Sequence, residues 1–463
     1  MSFKLSARQL GLLTGGALTA ASINIQASGY AIIENSASGM GNAFAGAAAV
    51  AEDASTLYFN PAGLTYLSGS RLVAAGHIVA PNADFNNKGS YVNPNLTGGI
   101  PIAGSLPGKD DDGGTTAFVP NFYFSSQIND QWFAGLGVNA PFGLEVSYDD
   151  DWVGRYHART SKLQTININP SIAFKANERL SVGAGVSAQY IRATLSSAVD
   201  FGTVCLGVVD SNPMFGQGTC AGAGVLPLQT DGQAKLHGSD WSWGFNLGAI
   251  FNISEASRVG LSYRSNIKHD VEGQAKYRVP DNFQAILDMG IPVFSNTAAS
   301  AEVDVPESVS LSLFHQINDR FAILADATWT KWDRFEELRF EYDNPNQPDT
   351  VQPENWDNTM RYSLGLTYTH NDRLLLRMGT AYDETPIPSA EYRTPRIPGN
   401  DRTWLSFGVG YKFSEKLGMD LGYAHLFVDD SEMNALDHST GHQLIGTYEG
   451  SVDIFSAQLN MMF

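Results

Sequence analysis

Charged residues are scarce in this sequence of 463 residues, and cations are scarcer still. Only 17% of the chain is charged, whereas a typical soluble protein has about a quarter. The 29 Lys+Arg are outnumbered by 48 Asp+Glu, which gives a formal net charge of -19. Such an acidic chain disfavours nucleic acid as a partner, because a phosphate backbone needs a basic surface. The 43% of hydrophobic residues excludes a wholly disordered chain.

Motifs of enzymes and metal sites are also missing. The nine His are scattered, and the sequence contains no HExxH, no paired CxxC and no G-x-S-x-G. We therefore expect no catalysis, no cofactor and no metal. Two runs of three aspartates, 110–112 and 149–151, could bind Ca²⁺ or bridge through divalent ions to lipopolysaccharide, but a solvated loop face is the favoured interpretation.

The first 27 residues have the features of a secretory signal peptide. Lys4 and Arg8 form a positive head, no acid occurs before Glu34, and an apolar stretch follows over residues 10–25. Cleavage is expected after Ala27. A membrane anchor is the weaker alternative, because the stretch is too short and too polar to cross about 30 Å of hydrocarbon.

From residue 70 onwards, apolar residues alternate with small or polar ones, which is typical of β-strands with two different faces. Tight turns alternate with long loops, as expected when one rim of a barrel carries turns and the other carries loops. A soluble β-sandwich or β-solenoid would not explain this asymmetry, nor the alternation that continues to the terminal Phe463. The pattern predicts a transmembrane β-barrel. It contains about fourteen segments: 70–82, 117–127, 131–140, 161–176, 179–195, 239–253, 257–275, 306–317, 320–332, 357–370, 372–381, 401–414, 416–428 and 447–463.

Residues 28–69 lack this alternation and are rich in Gly and Ala, so they need burial that a barrel lumen can provide. Several of their motifs, and others later in the chain, resemble the FadL-type long-chain fatty acid transporters. The motifs are Ser38-Gly39-Met40-Gly41-Asn42-Ala43-Phe44-Ala45-Gly46, Ala51-Glu52-Asp53-Ala54, Asn60-Pro61-Ala62-Gly63, Val138-Asn139-Ala140-Pro141-Phe142-Gly143, Thr328-Trp329-Thr330-Lys331-Trp332-Asp333-Arg334-Phe335, Ala381-Tyr382-Asp383-Glu384-Thr385-Pro386 and Asp401-Arg402-Thr403-Trp404-Leu405-Ser406.

The resemblance implies an all-β fold with a 14-stranded antiparallel transmembrane barrel at 70–463 and an N-terminal plug at 28–69. It implies an outer-membrane protein of a Gram-negative bacterium that takes up long-chain fatty acids passively. Aromatic or other hydrophobic hydrocarbons are the alternative substrates. Plug or gate residues are expected at Asn60, Pro61 and Ala62, and at Pro141, Phe142 and Gly143, where Pro and Gly would kink the third strand and open a lateral exit.

The resemblance also suggests where a ligand would bind. Arg192 and Arg339 fall at positions similar to the family's basic pair near the head group. Strict alternation turns Arg192 outward, so it must either lie beyond the membrane zone or follow a bulge that re-aims it inward. A salt bridge to loop acids is the alternative for both arginines. Loops 196–238 and 276–305 are expected to capture the substrate in an apolar groove. The alternative is that a short helix simply packs on the facing loop as a cap. The predicted groove residues are Phe283, Ile286, Leu287 and Met289, and a lumenal charge network is expected at Asp383 and Arg402.

Cys205 and Cys220 are the only cysteines and lie in one long loop. Export through an oxidising compartment predicts a disulfide between them. Two free thiols or a pair of metal ligands are the alternatives. Expected partners are outer-membrane lipids with lipopolysaccharide, and the barrel-assembly machinery during insertion, with the chain a monomer. A water-filled porin and a surface adhesin or phage receptor are the rival functions, and neither would need an apolar plug.

Overall fold

The computed structural model describes residues 29–93, 104–210 and 216–463. The predicted signal peptide at 1–27 lies outside these residues. Within the described parts of the chain, no helix is long and apolar enough to span a membrane.

Strands dominate the described chain and form a single antiparallel sheet. They are β1 (Ser70–Asn87), β2 (Tyr91–Val92), β3 (Ala117–Gln127), β4 (Trp132–Asn139), β5 (Gly143–Ser147), β6 (Thr160–Lys175), β7 (Leu180–Asp200), β8 (Asp231–Asn252), β9 (Ser257–Arg264), β10 (Ile267–Arg278), β11 (Thr297–Val305), β12 (Ser308–Gln316), β13 (Phe321–Thr330), β14 (Glu337–Tyr342), β15 (Thr350–Pro353), β16 (Thr359–Thr369), β17 (Leu374–Asp383), β18 (Arg402–Ser414), β19 (Leu417–Leu436) and β20 (His442–Met462).

The sheet closes on itself, because β1 pairs with β20 on one side and with β3 on the other. Four wall strands are each made of two pieces, namely β4/β5, β9/β10, β11/β12 and β13/β14, while β2 and β15 belong to loops. The wall is thus the closed 14-strand antiparallel barrel that the alternation predicts. Several strands are longer than predicted. β8 begins at Asp231 and β19 continues to Leu436, because pairing extends past the apolar band into the loop region.

The two faces of the wall differ as expected for a membrane barrel. On β7, Val182 and Val186 point outward and stay exposed, whereas Ser181 and Ser187 point inward and are buried. On β8, Trp243 leaves 70% of its surface exposed. These outward side chains are apolar because lipid replaces water around this part of the barrel.

Short helices account for most of the remaining structure. In the amino-terminal segment they are Ala37–Met40, Ala47–Val50, Thr56–Phe59 and the 3₁₀ helix Pro61–Tyr66. The loops carry Phe201–Cys205, the π-helix Leu206–Asp210, Thr219–Gly222, Asp281–Leu287 and the 3₁₀ turn Trp332–Arg334.

Residues 29–69, called here the lumenal segment, lie inside the ring of strands. The amide N–H of Ala48 donates to Ser312 Oγ on β12, and that of Ala37 donates to Gln458 Oε1 on β20. The inner wall can approach this segment closely because the wall residues at the contacts are glycines, which have no side chain. A Cβ on Gly260 would lie 2.0 Å from the carbonyl oxygen of Ala48, and one on Gly379 would lie 2.2 Å from the carbonyl carbon of Asn42.

Candidate functional site

A mainly apolar cavity of about 80 Å³ lies in the part of the lumen nearest the long loops. The cavity is apolar because the apolar side chains change from the outward face to the inward face partway along the strands. On β7 the apolar residues face outward at Val182 and Val186, but higher up they face inward at Ile191 and Leu195. The apolar side chains that line the cavity are Tyr30, Leu144, Leu163, Leu195, Leu236, Val271, Val303, Phe335, Leu338, Phe340 and Ile397.

Two ionisable groups from the loops, Arg396 and Glu354, line the same cavity. Arg396 is fixed by hydrogen bonds from its guanidinium to Ser161 Oγ at 2.8 Å and to the His157 carbonyl at 2.9 Å. Burial lowers the pKa of Arg396 to about 10, while the nearby Glu354 acts to raise it. The arginine therefore keeps its positive charge at neutral pH.

Glu354 is buried and accepts a hydrogen bond of 3.1 Å from the indole N–H of Trp356. Burial raises the pKa of this carboxyl to about 8. At neutral pH Glu354 is thus mostly protonated. Lys162 also belongs to the lining but is paired with Glu145 at 2.7 Å, so Arg396 is the cation available to a ligand. A carboxylate with an apolar tail would find a positive charge and an apolar lining in one place.

Tyr30 connects the cavity to the start of the lumenal segment. Its ring lies 4.8 Å from Trp332, 5.7 Å from Phe335 and 5.9 Å from Phe142, measured between ring centroids. Phe142 belongs to the break between β4 and β5. The aromatic cluster therefore joins the cavity lining to the third wall strand.

The third wall strand is interrupted at residues 140–142. β1 pairs with β3 up to Ala117, but among the described residues β4 pairs with β3 only from Phe122 onward. The wall consequently loses its ladder beside residues 117–121. Pro141 and Gly143 are suited to this break, because proline has no amide hydrogen to donate and glycine lacks a side chain.

The lumenal segment supplies the missing partners on the inside of this break. The Ile32 amide donates to the Pro141 carbonyl at 2.8 Å, and the Gly143 amide donates to the Tyr30 carbonyl at 2.9 Å. Ala31 and Phe142 form the antiparallel bridge between them. The Asn121 side chain donates to the Glu34 carbonyl at 2.9 Å. Residues 30–34 thus lie across the opening in the wall.

Farther along, two asparagines fasten the lumenal segment to the wall. The Asn60 amide nitrogen donates to the Ala48 carbonyl at 2.7 Å and to the Ala249 carbonyl on β8 at 3.1 Å. Pro61 and Ala62 pack next to it against Gly183 of β7. Asn42 donates in the same way to the carbonyls of Leu366 and Met378 at 3.0 and 3.2 Å.

A family model described as outer membrane protein transport protein (OMPP1/FadL/TodX) matches residues 18–463. The chain belongs to this family. It is accordingly an outer-membrane protein of a family of transport proteins.

Relatives and solved structures of this family match over nearly the whole chain. A long-chain fatty acid transport protein of Escherichia coli O6:H1 is 30% identical over 454 residues, which cover 96% of this chain and 97% of that one. A putative outer membrane protein of Neisseria meningitidis serogroup B is 33% identical over 432 residues, with 91% and 90% covered.

Among solved structures, a FadL homologue of Pseudomonas aeruginosa superposes with a TM-score of 0.83 at 25% identity, covering 94% of this chain and 100% of that one. The toluene transporter TodX of Pseudomonas putida has a TM-score of 0.65 at 16% identity, with 96% and 100% covered. At that identity TodX supports the fold alone.

In this member of the family, Arg192 does not enter the lumen. β7 runs without a bulge from Leu180 to Asp200, and Arg192 keeps the outward parity of Tyr190 and is exposed. The predicted lumenal position is therefore wrong, since nothing re-aims the side chain. Arg339 is also misplaced. It forms ion pairs with Glu337 at 2.7 Å and Asp349 at 3.2 Å on the outer surface of the loop region.

The predicted loop groove is closed in this structure. Phe283, Ile286 and Leu287 of helix Asp281–Leu287 are buried against loop residues that include Phe201 and Val225. The alternative of a helix that packs on the facing loop is what the structure contains. Met289 lies apart from this contact and is 54% exposed.

A disulfide joins Cys205 and Cys220 in the structure. Both side chains are buried in the same loop cluster as Phe283. The disulfide thus holds the surface on which the loop helix rests.

Asp383 and Arg402 face the lumen as a buried ion pair with a distance of 3.6 Å. They do not line the apolar cavity. Neighbouring Arg361 donates to the Ala43 carbonyl of the lumenal segment at 2.9 Å and lies over the Trp404 ring. This network holds the segment to the wall, and the geometry gives it no contact with a ligand in the cavity.

Sequence reasoning missed Arg396, Glu354 and Tyr30. Arg396 and Glu354 lie in loops without an alternation that could orient them. A signal did exist for the cavity itself, namely the reversal of apolar parity within the long strands β7 and β8. Within the described residues, no group of His, Cys, Asp and Glu is arranged to hold a metal ion.

Proposed function

We propose that this protein carries long-chain fatty acids passively across the outer membrane, without a catalytic step. The observation that carries the proposal is the apolar lumenal cavity with Arg396 in its lining. The similarity to a long-chain fatty acid transport protein of Escherichia coli supports the substrate class. A fatty acid would place its tail among the leucines and valines and its carboxylate toward Arg396, which would otherwise bear a poorly compensated charge.

The route out of the cavity would pass through the break in the third wall strand. Tyr30 borders the cavity, and its neighbours Ala31 and Ile32 cover residues 141–143 from inside. Displacement of this short segment by a bound ligand would open a lateral path into the outer leaflet. The lumenal segment would then act as the plug, held in place by Asn42 and Asn60 while its first residues move.

Aromatic hydrocarbons are the second candidate substrate class. The cavity is compatible with them because most of its lining side chains are apolar. Neutral hydrocarbons would gain nothing from Arg396, so that residue separates the two classes.

The test is oleate binding by the purified protein and by Arg396→Gln and Arg396→Lys variants. Loss of the charge should weaken oleate binding by about tenfold to a hundredfold, since charge-assisted hydrogen bonds contribute about 1.5–3 kcal/mol. Arg396→Lys should retain most of the affinity, and oleyl alcohol should bind all three proteins equally. Unchanged oleate binding by Arg396→Gln, with the barrel still folded, would contradict the carboxylate site.

A further inference from the structure

The outward surface of β7, β8 and β10 changes from aromatic to basic toward the long loops. On β8 the outward residues follow the order Phe245, Trp243, Trp241, Ser239, His237 and Lys235. Tyr190 on β7 lies opposite Trp241, and Arg192 follows it on the same face. Trp and Tyr mark the membrane–water interface, so Arg192 and Lys235 lie just beyond the apolar band of the outer leaflet.

Four exposed cations share this region: Arg192, Lys235, Lys276 and Arg278. We call them the outer basic patch. In the described part of the chain, none of these four side chains has a hydrogen-bond or ion-pair partner. By contrast, Lys268, lower on the same face of β10, is paired with Glu302 at 2.8 Å. Asp270 and Glu272 lie between Lys268 and Lys276 on β10 and form the edge of the patch.

The arrangement of the patch is unfavourable without an anion. Lys235 and Lys276 are direct partners in the β8–β10 ladder. Side chains directly opposite on antiparallel strands lie about 5 Å apart at Cβ, and like charges there are destabilising. Arg278 lies near a further cation, Arg159, which directly precedes β6 and is paired with Asp150. Burial, and after it the charge of Arg278, lowers the pKa of Arg159.

We propose that the outer basic patch binds the phosphate groups of lipopolysaccharide in the outer leaflet. The patch lies on the lipid-facing side of the wall, at the rim with the long loops, directly beyond the aromatic residues. A polyanionic head group would offset the Lys235–Lys276 repulsion, and its acyl chains would lie along Trp241, Trp243 and Phe245. The chain as a whole is acidic. The outer basic patch is a local exception, and its positive charge complements the anionic head groups of the leaflet. The proposal does not depend on the transported substrate.

The experiment uses the full-length protein in detergent and native mass spectrometry to measure bound lipid. The probes are Re-type lipopolysaccharide, the same lipid after removal of its phosphates, and phosphatidylglycerol. The variants are Lys276→Gln, Lys235→Gln/Lys276→Gln, and the triple variant that adds Arg192→Gln. Lys268→Gln is the matched control, because it removes an outward cation of the same strand that already has an acidic partner.

We expect about a fivefold loss of affinity for each patch cation removed, because a cation near an anionic lipid surface typically contributes that much. Lys268→Gln should bind like the unaltered protein, and the salt dependence of binding should weaken in the triple variant. Without lipid, Lys235→Gln/Lys276→Gln should melt at the same temperature or higher, since a repulsive pair is lost. A merely structural pair would instead lower the melting temperature.

Three results would overturn the proposal. The first is a triple variant that binds lipopolysaccharide within about twofold of the unaltered protein. The second is equal binding of the dephosphorylated lipid, and the third is a clear preference for phosphatidylglycerol. If the triple variant does not fold, Lys276→Gln alone distinguishes these outcomes.

Discussion

Glu354 is the residue whose protonation should set how strongly Arg396 attracts a carboxylate. Its pKa of about 8 lies above the ordinary value of 4.5 because of burial. Below pH 8 the side chain is neutral and Arg396 is free to attract an anion. Above pH 8 Glu354 becomes an anion in the same cavity and competes with the ligand. We therefore predict that fatty acid affinity falls by about tenfold as the pH rises from 7 to 9.

The measurement is oleate binding as a function of pH. Glu354→Gln should remove the decline and keep the affinity of the neutral form throughout, because the amide has no charge to gain. Oleyl alcohol is the ligand control, since it carries no charge in this range. A decline that persists in Glu354→Gln would assign the titration to another group.

Gly248 allows Asn60 to reach the inner wall. A Cβ at this position would lie 1.9 Å from Asn60 Oδ1, so Gly248→Ala must push the asparagine away from β8. We predict that the lumenal segment loosens and that ion conductance through the barrel rises in planar bilayers. Gly399→Ala is the control, because a Cβ there meets nothing within 4 Å. Equal conductance of the two variants would show that the Asn60 contact does not keep the lumen closed.

Side-chain direction was the weakest part of prediction from sequence. Arg192 was assigned to the lumen on the basis of the family resemblance. The alternation along its strand indicated an outward side chain, and the structure agrees with the alternation. Arg396 could not be found, since no periodicity orients a side chain within residues 384–401. The turn at Asn60 was easier to predict, because Asn-Pro is a recognisable turn signal in the sequence.

At the scale of secondary-structure elements, the pairing of residues 30–32 with residues 141–143 gives a direct test of the gate. Ala31 and Phe142 are bridge partners, and opposed residues of antiparallel strands have Cα atoms close enough for a disulfide. We predict that Ala31→Cys/Phe142→Cys forms a disulfide that blocks fatty acid uptake by whole cells. Reductant should restore uptake.

The reductant also acts on Cys205 and Cys220, so the unaltered protein with and without reductant is the necessary control. Each single cysteine variant should transport in both conditions. Full uptake by the oxidised double variant, with the new disulfide verified by mass spectrometry, would exclude movement of this segment as the gate.

The disulfide between Cys205 and Cys220 should stabilise its own loop without affecting the stability of the barrel. Closing a loop of this length contributes about 3 kcal/mol on the chain-entropy model, and both sulfurs pack beside Phe283. For Cys205→Ser/Cys220→Ser we predict faster proteolysis within residues 201–230 and an unchanged heat-modifiable barrel band in gel electrophoresis. Loss of the barrel band would contradict this division between loop and wall.

At the scale of the whole molecule, the fold could be predicted well. The wall strands keep a period of two over many residues, and the turns and loops that separate them give the strand number. The extended ends of β8 and β19 were missed because they lie beyond the apolar band, where both faces meet protein or water. There the outer face no longer has to be apolar, so the pattern used to detect strands fades.

The contact between residues 30–32 and the broken strand has a further consequence for the permeability of the cell envelope. While the contact exists, the Pro141 carbonyl and the Gly143 amide have partners. Once it is broken, each of these backbone groups would face lipid unpaired, at a cost of several kcal/mol. The empty protein should therefore remain shut by default, and only a molecule that binds tightly enough to offset that cost would open it. In this way hydrophobic nutrients could cross while the membrane remains a barrier to other solutes.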